Sequence, residues 1–388
     1  MIDAGFFCNL LASHGTEFFT GVPDSLLKSF CAWITDHSIG KNHIIAVNEG
    51  TAVALASGYH LATGKIPLVY MQNSGIGNAV NPLLSLADGD VYRIPMILLA
   101  GWRGEPGVKD EPQHLKQGKV TRALFEAMGI PHLILSDNED KVRLQLEECY
   151  ALIKTNNTPF ALIVRKNTFA PYALESGTNA AESSLSAESA PSVENEMSRE
   201  EAIEEIIRLS SSDGLFVSTT GMASRELYEL REKYNMGHER DFLTVGSMGH
   251  ASSLALALTE QKPELPVTCI DGDGAALMHL GTLAAIGARK PANLRHIVLN
   301  NGAHDSVGGQ PTIARRIDIA GIARSAGYAQ VYSVRTREEL RRVSGDKSGP
   351  VFIEVLVRKG NRKDLGRPRS SPLENKEAFM RFISEYKR

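Results

Sequence analysis

The sequence has few cysteines, no excess of charge of either sign and no long apolar run. Its 388 residues include only Cys8, Cys31, Cys149 and Cys269, which form no CxxC pair, so no disulfide framework is predicted. Lys and Arg total 42 against 45 Asp and Glu, and this net charge of −3 indicates neither a nucleic-acid nor an anionic-membrane partner. Apolar runs such as 94–100 are too short to span a bilayer.

The N-terminal segment also lacks early basic residues, because the first one is Lys28. A secretory signal has a positively charged start, so none is predicted here, and we expect a cytoplasmic protein. The length is sufficient for two or three domains with apolar cores.

Short β-rich apolar runs alternate with amphipathic helical patterns through most of the chain, which is typical of α/β domains with mostly parallel sheets. Helices are predicted over 24–37 and 51–63, the latter ended by Gly64. Strands are predicted at 17–20, 43–47, 67–71, 96–100, 132–135 and 160–164, and then at 214–218, 243–245, 267–270, 296–299 and 351–355.

Between the two series, residues 171–197 are rich in Ser, Ala and Glu and contain few large apolar side chains. Such a segment buries too little surface to offset its ordering entropy, so we interpret it as a linker. Ser198 and Glu201 then have the spacing of a capping box that opens a helix. The predicted organisation is a domain over 1–170, a linker over 171–197 and a second domain over 198–388 with a C-terminal tail.

Two short polar motifs each end a predicted strand of the second domain. Gly272-Asp273-Gly274-Ala275 follows one strand and Asn300-Asn301 ends the next. Glycines let backbone amides approach a diphosphate, and carboxylate and amide oxygens are ligands that Mg²⁺ prefers. Ordinary turns have the same composition, but the pairing of both motifs at neighbouring strand ends favours a phosphate and metal site.

Gly272-Asp273-Gly274 and Asn300-Asn301, with residues 275–299 between them, together resemble the thiamine-diphosphate (ThDP) binding motif of the ThDP-dependent enzyme family. The resemblance implies that Asp273, Asn301 and the main-chain oxygen of Ala303 hold Mg²⁺. It also implies two ThDP-binding-fold domains, pyrimidine-type then diphosphate-type, each a mostly parallel sheet flanked by helices.

Glu49 lies between a predicted strand and a helix of small residues, where ThDP decarboxylases of this family carry their cofactor-activating glutamate. A carboxylic acid bonded to the aminopyrimidine ring favours the tautomer that makes the cofactor nucleophilic. An acid at a helix N-terminus can also simply complement the helix dipole, which is commonly worth ~0.3–1 kcal/mol. The motif of the second domain favours the catalytic interpretation of Glu49.

The resemblance extends to further cofactor-binding positions. A large apolar side chain that supports the bent cofactor corresponds to Met248, although a methionine there could equally belong to the core. The other residues that the resemblance assigns to the cofactor are Thr220, Gly221, Met222, Gly246, Gly272, Gly274, Ala275, His304 and Ser306.

The absence of a middle domain makes the chain similar to the sulfopyruvate and phosphonopyruvate decarboxylases, and residues 301–312 resemble the latter. The resemblance implies ThDP- and Mg²⁺-dependent decarboxylation of 3-phosphonopyruvate to phosphonoacetaldehyde and CO₂. An anionic substrate calls for cationic and donor groups. Candidates for the substrate site are Asn73, Ser74, Arg103, Lys109, His114 and His304.

Three alternatives stay open at the level of the sequence. The first is the same chemistry on sulfopyruvate. The second is an NAD(P)-dependent oxidoreductase that uses the glycines of residues 75–78, although the third glycine of the dinucleotide motif is replaced by Val80. The third is a non-catalytic nucleotide-binding module. For the decarboxylase, the family resemblance implies a homodimer or higher homo-oligomer with shared active sites.

Overall fold

The structure, a computed structural model, describes residues 1–38, 42–175, 196–343 and 349–386. These residues divide into two compact units. The first contains the described residues up to 175 together with Val307–Pro311, and the second contains those from 196 onward apart from that segment. Residues 176–195 of the predicted linker lie outside the described residues, so the domain boundaries stay a prediction.

The first unit is built on a six-stranded parallel sheet with helices between its strands. Its strands are β1 (Phe19–Gly21), β2 (His43–Ile45), β3 (Leu68–Gln72), β4 (Ile97–Gly101), β5 (His132–Ile134) and β6 (Phe160–Val164). Its helices are α1 (Ala4–Ser13), α2 (Lys28–His37), α3 (Glu49–Thr63), α4 (Ile76–Pro82), α5 (Pro112–Ala127) and α6 (Glu139–Asn156). The strand order is β2-β1-β3-β4-β6-β5.

The central strands of this sheet are buried on both faces, which explains their nearly continuous apolar sequences. Successive residues of β3 belong to two different cores: Leu68 and Tyr70 pack in one cluster, and Val69 and Met71 pack in the other. Both faces of the sheet are therefore covered, as in other α/β domains.

The helix predicted from residue 24 begins instead at Lys28. The Asp24 carboxylate accepts hydrogen bonds from the backbone N–H groups of Leu26 and Leu27, so the chain makes a turn before the helix. The helix predicted from residue 51 begins at Glu49, because the side chain of Asn48 caps it. Its predicted end at Gly64 is confirmed by a left-handed backbone conformation there.

The second unit contains a seven-stranded parallel sheet in the order β14-β15-β11-β10-β8-β9, with β7 paired to β15. The strands from this part of the chain are β7 (Met197–Ser198), β8 (Leu215–Ser218), β9 (Asp241–Leu243), β10 (Val267–Gly272), β11 (Leu294–Asn300), β12 (Ala303–His304), β13 (Gln310–Pro311), β14 (Gln330–Val334) and β15 (Val351–Arg358). The helices are α7 (Arg199–Leu209), α8 (Met222–Lys233), α9 (Ala251–Gln261), α10 (Asp273–Met278), α11 (Gly281–Arg289), α12 (Ile319–Ala326), α13 (Arg337–Val343) and α14 (Pro372–Glu385).

Several strands from this part of the chain depart from the sequence prediction, and the two-residue strands β7, β12 and β13 were not predicted. The strand predicted at 243–245 runs instead from Asp241 to Leu243, because these residues pair with β8, Phe216 opposite Asp241. The carboxylate of Asp241 is fully buried and accepts a hydrogen bond from the guanidinium of Arg231 at 2.7 Å. Strand β14 was not predicted, since most of its residues are only half-buried and form no apolar run. The predicted capping box is confirmed by the reciprocal bonds between Ser198 and Glu201.

In both sheets the loops of interest follow the carboxyl ends of parallel strands, where α/β proteins commonly build their sites. No helix in the described part of the chain is both long enough and apolar enough to cross a membrane.

Candidate cofactor and active site

The second unit brings three of the predicted loops to one edge of its sheet. Strand β10 lies between β8 and β11, with Ile270 opposite Ser218 and Gly272 opposite Leu299. The loop after β8, the start of α10 and the turn after β11 therefore follow neighbouring strand ends. This is the arrangement that the two sequence motifs predicted.

Asp273, the first residue of α10, has a buried carboxylate that is 3% exposed. Its Oδ2 accepts a hydrogen bond from the hydroxyl of Thr312, and no described residue forms an ion pair with it. Burial raises the pKa of Asp273 to about 6, because the charged form loses its hydration. A cation beside this carboxylate would favour its ionised form. Thr312 was not predicted as a site residue, although it ends the 301–312 segment that carried the resemblance.

The turn after β11 holds two asparagine amides in fixed orientations. Asn301 donates from Nδ2 to Asp305 Oδ2 at 2.7 Å, while its Oδ1 accepts the N–H of Ala303 at 2.9 Å. Asn300 donates to Glu354 at 2.7 Å and accepts the N–H of Gly302 at 3.1 Å. The amide oxygen of Asn301 retains a second lone pair.

A glycine is required at position 302 of this turn. Its φ of +66° is unfavourable for other residues, and an added Cβ would lie 2.8 Å from Cγ of Arg315. The same Arg315 donates to the carbonyl oxygens of Asn300 and Val357, so it ties together the ends of β11 and β15. Hydrogen bonds to the asparagine side chains and to the backbone carbonyl of Asn300 therefore hold this turn in one conformation.

The donor set of this edge fits the metal and diphosphate that the resemblance implies. Asp273 and Asn301 offer carboxylate and amide oxygens, the hard ligands that Mg²⁺ takes. Beside the backbone there is room: a Cβ on Gly221 would meet only Ser306 at 3.9 Å, and one on Gly272 only Thr219 at 3.9 Å. Gly221 also caps the N-terminus of the 12-residue helix α8, where backbone N–H groups favour anions.

Met248 and His304 lie over the backbone of Gly274. A Cβ at Gly274 would approach His304 Cε1 to 3.0 Å and Met248 Cε to 3.2 Å, so a larger residue there would have to displace these side chains. Burial lowers the pKa of His304 to about 4, so this imidazole is neutral at neutral pH. Of the remaining predicted cofactor residues, Gly246 lies with Met248 in the loop after β9, and the others lie in the loop after β8, at the starts of α8 and α10, and after β12: Thr220, Met222, Ala275 and Ser306.

In the first unit, Glu49 is the first residue of α3 and is 5% exposed. Its Oε2 accepts a hydrogen bond from Nδ2 of Asn78 at 2.7 Å. A Cβ on Gly75 would lie 2.3 Å from Oε1 of Glu49, so glycine allows the carboxylate to pack against this loop. Asn78 was not predicted as a site residue; in the sequence it belongs only to the segment 75–78, whose glycines suggested the dinucleotide-binding alternative.

Asn73 and Arg103, both predicted to bind substrate, have polar groups engaged within the first unit. The Asn73 amide donates to the carbonyl of Arg103 at 2.8 Å and to Thr121 at 2.9 Å, and it accepts the N–H of Arg103 at 3.2 Å. The guanidinium of Arg103 binds both oxygens of Asp110 and donates to Ser25 at 2.8 Å. These contacts brace the loop after β3 against the loop after β4.

The other predicted substrate residues differ in how accessible they are. Lys109 is exposed and forms no hydrogen bond or ion pair with any described residue. Ser74 accepts a hydrogen bond from Gln72 at 2.6 Å. His114 is 8% exposed with no described partner for Nδ1, and burial, together with Arg103, lowers its pKa to about 4.

Asp24, which was predicted only as a helix residue, is a fully buried carboxylate at the carboxyl end of β1. Its Oδ1 has no described hydrogen-bond partner, and burial raises its pKa to about 6. A Cβ on Gly101 would lie 2.3 Å from Oδ2, so the end of β4 accommodates this carboxylate. Nothing in the sequence around Asp24 distinguishes it from an ordinary acid in a turn.

Comparisons with known proteins agree with this geometry. Residues 4–124 match the thiamine pyrophosphate enzyme N-terminal TPP binding domain, and residues 219–355 match the C-terminal TPP binding domain. The chain is 32% identical to a phosphonopyruvate decarboxylase of Streptomyces viridochromogenes, over 99% of this chain and 96% of the relative. A phosphonopyruvate decarboxylase of Streptomyces hygroscopicus is 33% identical, over 99% and 95%. A sulfopyruvate decarboxylase of Methanosarcina acetivorans is 29% identical, over 96% and 95%.

Proposed function

The chain belongs to the thiamine pyrophosphate enzyme family, as a ThDP-dependent carboxy-lyase related to the phosphonopyruvate decarboxylases, and on this premise we propose its substrate, metal and assembly. The proposed reaction converts 3-phosphonopyruvate to phosphonoacetaldehyde and CO₂, a step of phosphonate biosynthesis. The bond between the carboxylate and the carbonyl carbon breaks, and a proton replaces CO₂ on that carbon. The main support is the similarity to two phosphonopyruvate decarboxylases over nearly the whole chain.

The proposed metal is Mg²⁺, bound by the Asp273 carboxylate, the Asn301 amide oxygen and the main-chain oxygen of Ala303. Support comes from the buried Asp273 carboxylate, which has no ion-pair partner among the described residues, and from the fixed orientation of the Asn301 amide. Gly221, Gly272 and the first turn of α8 would receive the diphosphate. When bound, ThDP supplies a carbon nucleophile and accepts the electrons released with CO₂.

Glu49 is the proposed catalytic residue of the first unit, and its task is to hold a proton at Oε1. Asn78 fixes Oε2 through its amide, so the proton is directed to the other oxygen. Gly75 leaves space for that oxygen, and burial keeps bulk water away from it. Met248 and His304 are the proposed cofactor supports of the second unit.

For the phosphonate group we propose Lys109 rather than Arg103 as the main cation of the 101–114 segment. The charge of Arg103 is already balanced by Asp110 at 2.5 Å, whereas Lys109 has no described partner. In a Lys109→Met variant, KM for 3-phosphonopyruvate should rise while the slow reaction with pyruvate stays the same. Lys116→Met, an exposed lysine on α5, is the matched control; an equal effect of both changes would remove Lys109 from the substrate site.

A turnover panel tests the substrate assignment directly. Purified protein with ThDP and Mg²⁺ is given 3-phosphonopyruvate, sulfopyruvate or pyruvate, and aldehyde and CO₂ are measured. A site that pairs with an anionic group can reject an analogue without that group by up to ~10⁴-fold in kcat/KM. We expect 3-phosphonopyruvate to be preferred. Equal or better turnover of sulfopyruvate would assign the chain to its second candidate function, which the similarity to the Methanosarcina acetivorans protein supports.

We also propose a homo-oligomer whose active sites are shared between subunits, as the family resemblance implies. Glu49→Ala and Asp273→Ala chains are each expected to be inactive alone. If a site takes Glu49 from one chain and Asp273 from another, random reassortment of a two-fold dimer should restore roughly a quarter of the wild-type activity. Differently tagged chains verify the exchange. Absence of activity after verified exchange would contradict the shared site.

A further inference from the structure

We propose that Asp305 is a positioning residue: its carboxylate determines which end of the Asn301 amide faces the metal. This inference rests on the proposed Mg²⁺ site. An asparagine amide has an oxygen that can bind a metal and an NH₂ group that cannot, and the two ends can exchange by rotation about one bond. A ligand of this kind therefore needs neighbours that distinguish its two ends.

Each of the two described hydrogen-bond partners of the Asn301 side chain can play only one role, as a donor or as an acceptor. The Asp305 carboxylate only accepts hydrogen bonds, and it lies 2.7 Å from Nδ2. The backbone N–H of Ala303 only donates, and it lies 2.9 Å from Oδ1. A flipped amide would place oxygen against carboxylate oxygen and NH₂ against N–H, so both contacts would become repulsive. Asp305 thus supplies one of the two restraints on the ligand.

Asp305 is itself held in place by residues from two other elements. Its Oδ2 accepts Nη1 of Arg199 at 3.1 Å and the N–H of Gly360 at 3.0 Å, in addition to the Asn301 amide. Arg199, at the start of α7, also binds both oxygens of Glu226 on α8, at 2.7 and 2.9 Å. Since one oxygen collects all three donors, the carboxylate has little freedom to rotate away from Asn301.

The side chains of this network are almost completely shielded from solvent. Those of Arg199, Glu226 and Asp305 are 8%, 1% and 9% exposed. Water therefore cannot readily replace Asp305 as the acceptor for Asn301.

The test compares two substitutions of Asp305 that differ in accepting ability. Asp305→Leu keeps a similar volume but has no acceptor, whereas Asp305→Asn can place its amide oxygen where Oδ2 lies and accept the same donors. Loss of a residue that orients a metal ligand typically costs ~10–100-fold in metal affinity. We expect that loss for Asp305→Leu and a near wild-type affinity for Asp305→Asn.

The measurements are calorimetric titration of metal-free protein with ThDP at saturating Mg²⁺, and Mn²⁺ binding followed by electron paramagnetic resonance. Glu205→Leu is the matched control, because Glu205 lies on α7, is 2% exposed and binds Arg341 at 2.7 Å, away from the turn. It should lower the thermal midpoint without changing either affinity. If Asp305→Leu does not fold, Asp305→Ala replaces it.

Asp273→Ala separates failure of this inference from failure of the metal site. If Asp273→Ala leaves Mn²⁺ and ThDP affinity unchanged, the proposed metal site is wrong. If Asp273→Ala removes binding while Asp305→Leu binds like the wild type, only the positioning role is overturned. Equal weakening by Asp305→Leu and Asp305→Asn would also overturn it, because charge rather than a directed acceptor would then be responsible.

Discussion

Glu49 and Asp273 are both buried carboxylates at the first position of a helix, one in each unit of the molecule. Glu49 has one oxygen bonded to the Asn78 amide and the other packed against Gly75. Asp273 accepts from the Thr312 hydroxyl, and the Asn301 turn follows the neighbouring strand. Both residues show the same local sequence signal, an acid that follows a strand. The surroundings of Glu49 suit proton transfer, whereas those of Asp273 suit the binding of a cation.

The two units also differ in how their other polar side chains are used. In the second unit, Asp305 and Glu354 orient the Asn301 and Asn300 amides of the candidate metal turn. In the first unit, the amide of Asn73 is engaged in hydrogen bonds to Arg103 and Thr121 that hold two loops together. A polar residue at a strand end is therefore a site candidate only after its internal hydrogen bonds have been counted. Four predictions test this contrast.

The largest expected effect is that of Glu49→Gln on turnover. General acid–base groups contribute ~10²–10⁴-fold, so kcat should fall by a factor in this range because glutamine cannot hold an acidic proton. Steady-state kinetics measure kcat, and calorimetry should find ThDP affinity little changed. If the variant keeps wild-type turnover, a group other than Glu49 transfers the proton. The functional contrast between Glu49 and Asp273 would then be wrong.

The second prediction concerns Asp273→Ala, which should weaken ThDP binding in the presence of Mg²⁺. The loss of a direct metal ligand is expected to exceed the ~10–100-fold usual for a residue that only supports one. Calorimetric titration with ThDP and Mg²⁺ measures it, and circular dichroism verifies folding. Unchanged affinity in a folded variant would exclude Asp273 from the metal site.

The third prediction is that Asp273→Asn stabilises the metal-free protein at neutral pH. The pKa of Asp273 is raised from 3.8 to about 6 in the folded protein. Between these two pH values the folded state therefore keeps the proton on Asp273, whereas the unfolded state has lost it. Stability therefore falls as the pH rises from about 4 to 6, and the neutral asparagine removes this loss. A shift of two pKa units corresponds to about 3 kcal/mol as an upper bound.

Thermal unfolding of wild type and variant at pH 4 and pH 7, both without metal, measures this difference. Other buried acids such as Asp24 and Asp241 titrate in both proteins, so their effects cancel in the comparison. A variant with the same relative stability at both pH values would contradict the raised pKa of Asp273. Added Mg²⁺ and ThDP should reverse the order of stability.

The smallest effect is expected for Asn73→Leu, which should destabilise the first unit by about 1–3 kcal/mol. Its removal leaves the carbonyl oxygen of Arg103 without its described donor, and the Thr121 hydroxyl loses one hydrogen bond while it still donates to the carbonyl of Gln117. Calorimetric unfolding measures the loss, and Asn81→Leu, at an exposed position, is the control. If Asn73→Leu instead raises KM without changing stability, Asn73 contacts substrate and the contrast between the units is weaker than the structure indicates.

Much of the fold could be predicted from local sequence, because apolar runs, caps and glycines act over a few residues. The alternation of strands and helices, the end of α3 at Gly64 and the capping box at Ser198 are examples. The start of α2 was wrong because the Asp24 side chain competes for backbone N–H groups, and β14 was missed because it is half-buried. Both errors depend on neighbours that the local pattern does not reveal.

The sequence by itself determined that Gly272-Asp273-Gly274 and Asn300-Asn301 follow two successive strands, because each follows a short apolar run. That these two strands pair in the sheet is shown by the tertiary structure. Only the tertiary structure decided how the side chains are used: that Asn78 holds Glu49, and that Asp305 and Ala303 orient Asn301. Hydrogen bonds are directional and short, and their partners often lie far along the chain. Which polar groups remain available for a ligand is therefore fixed by packing in three dimensions.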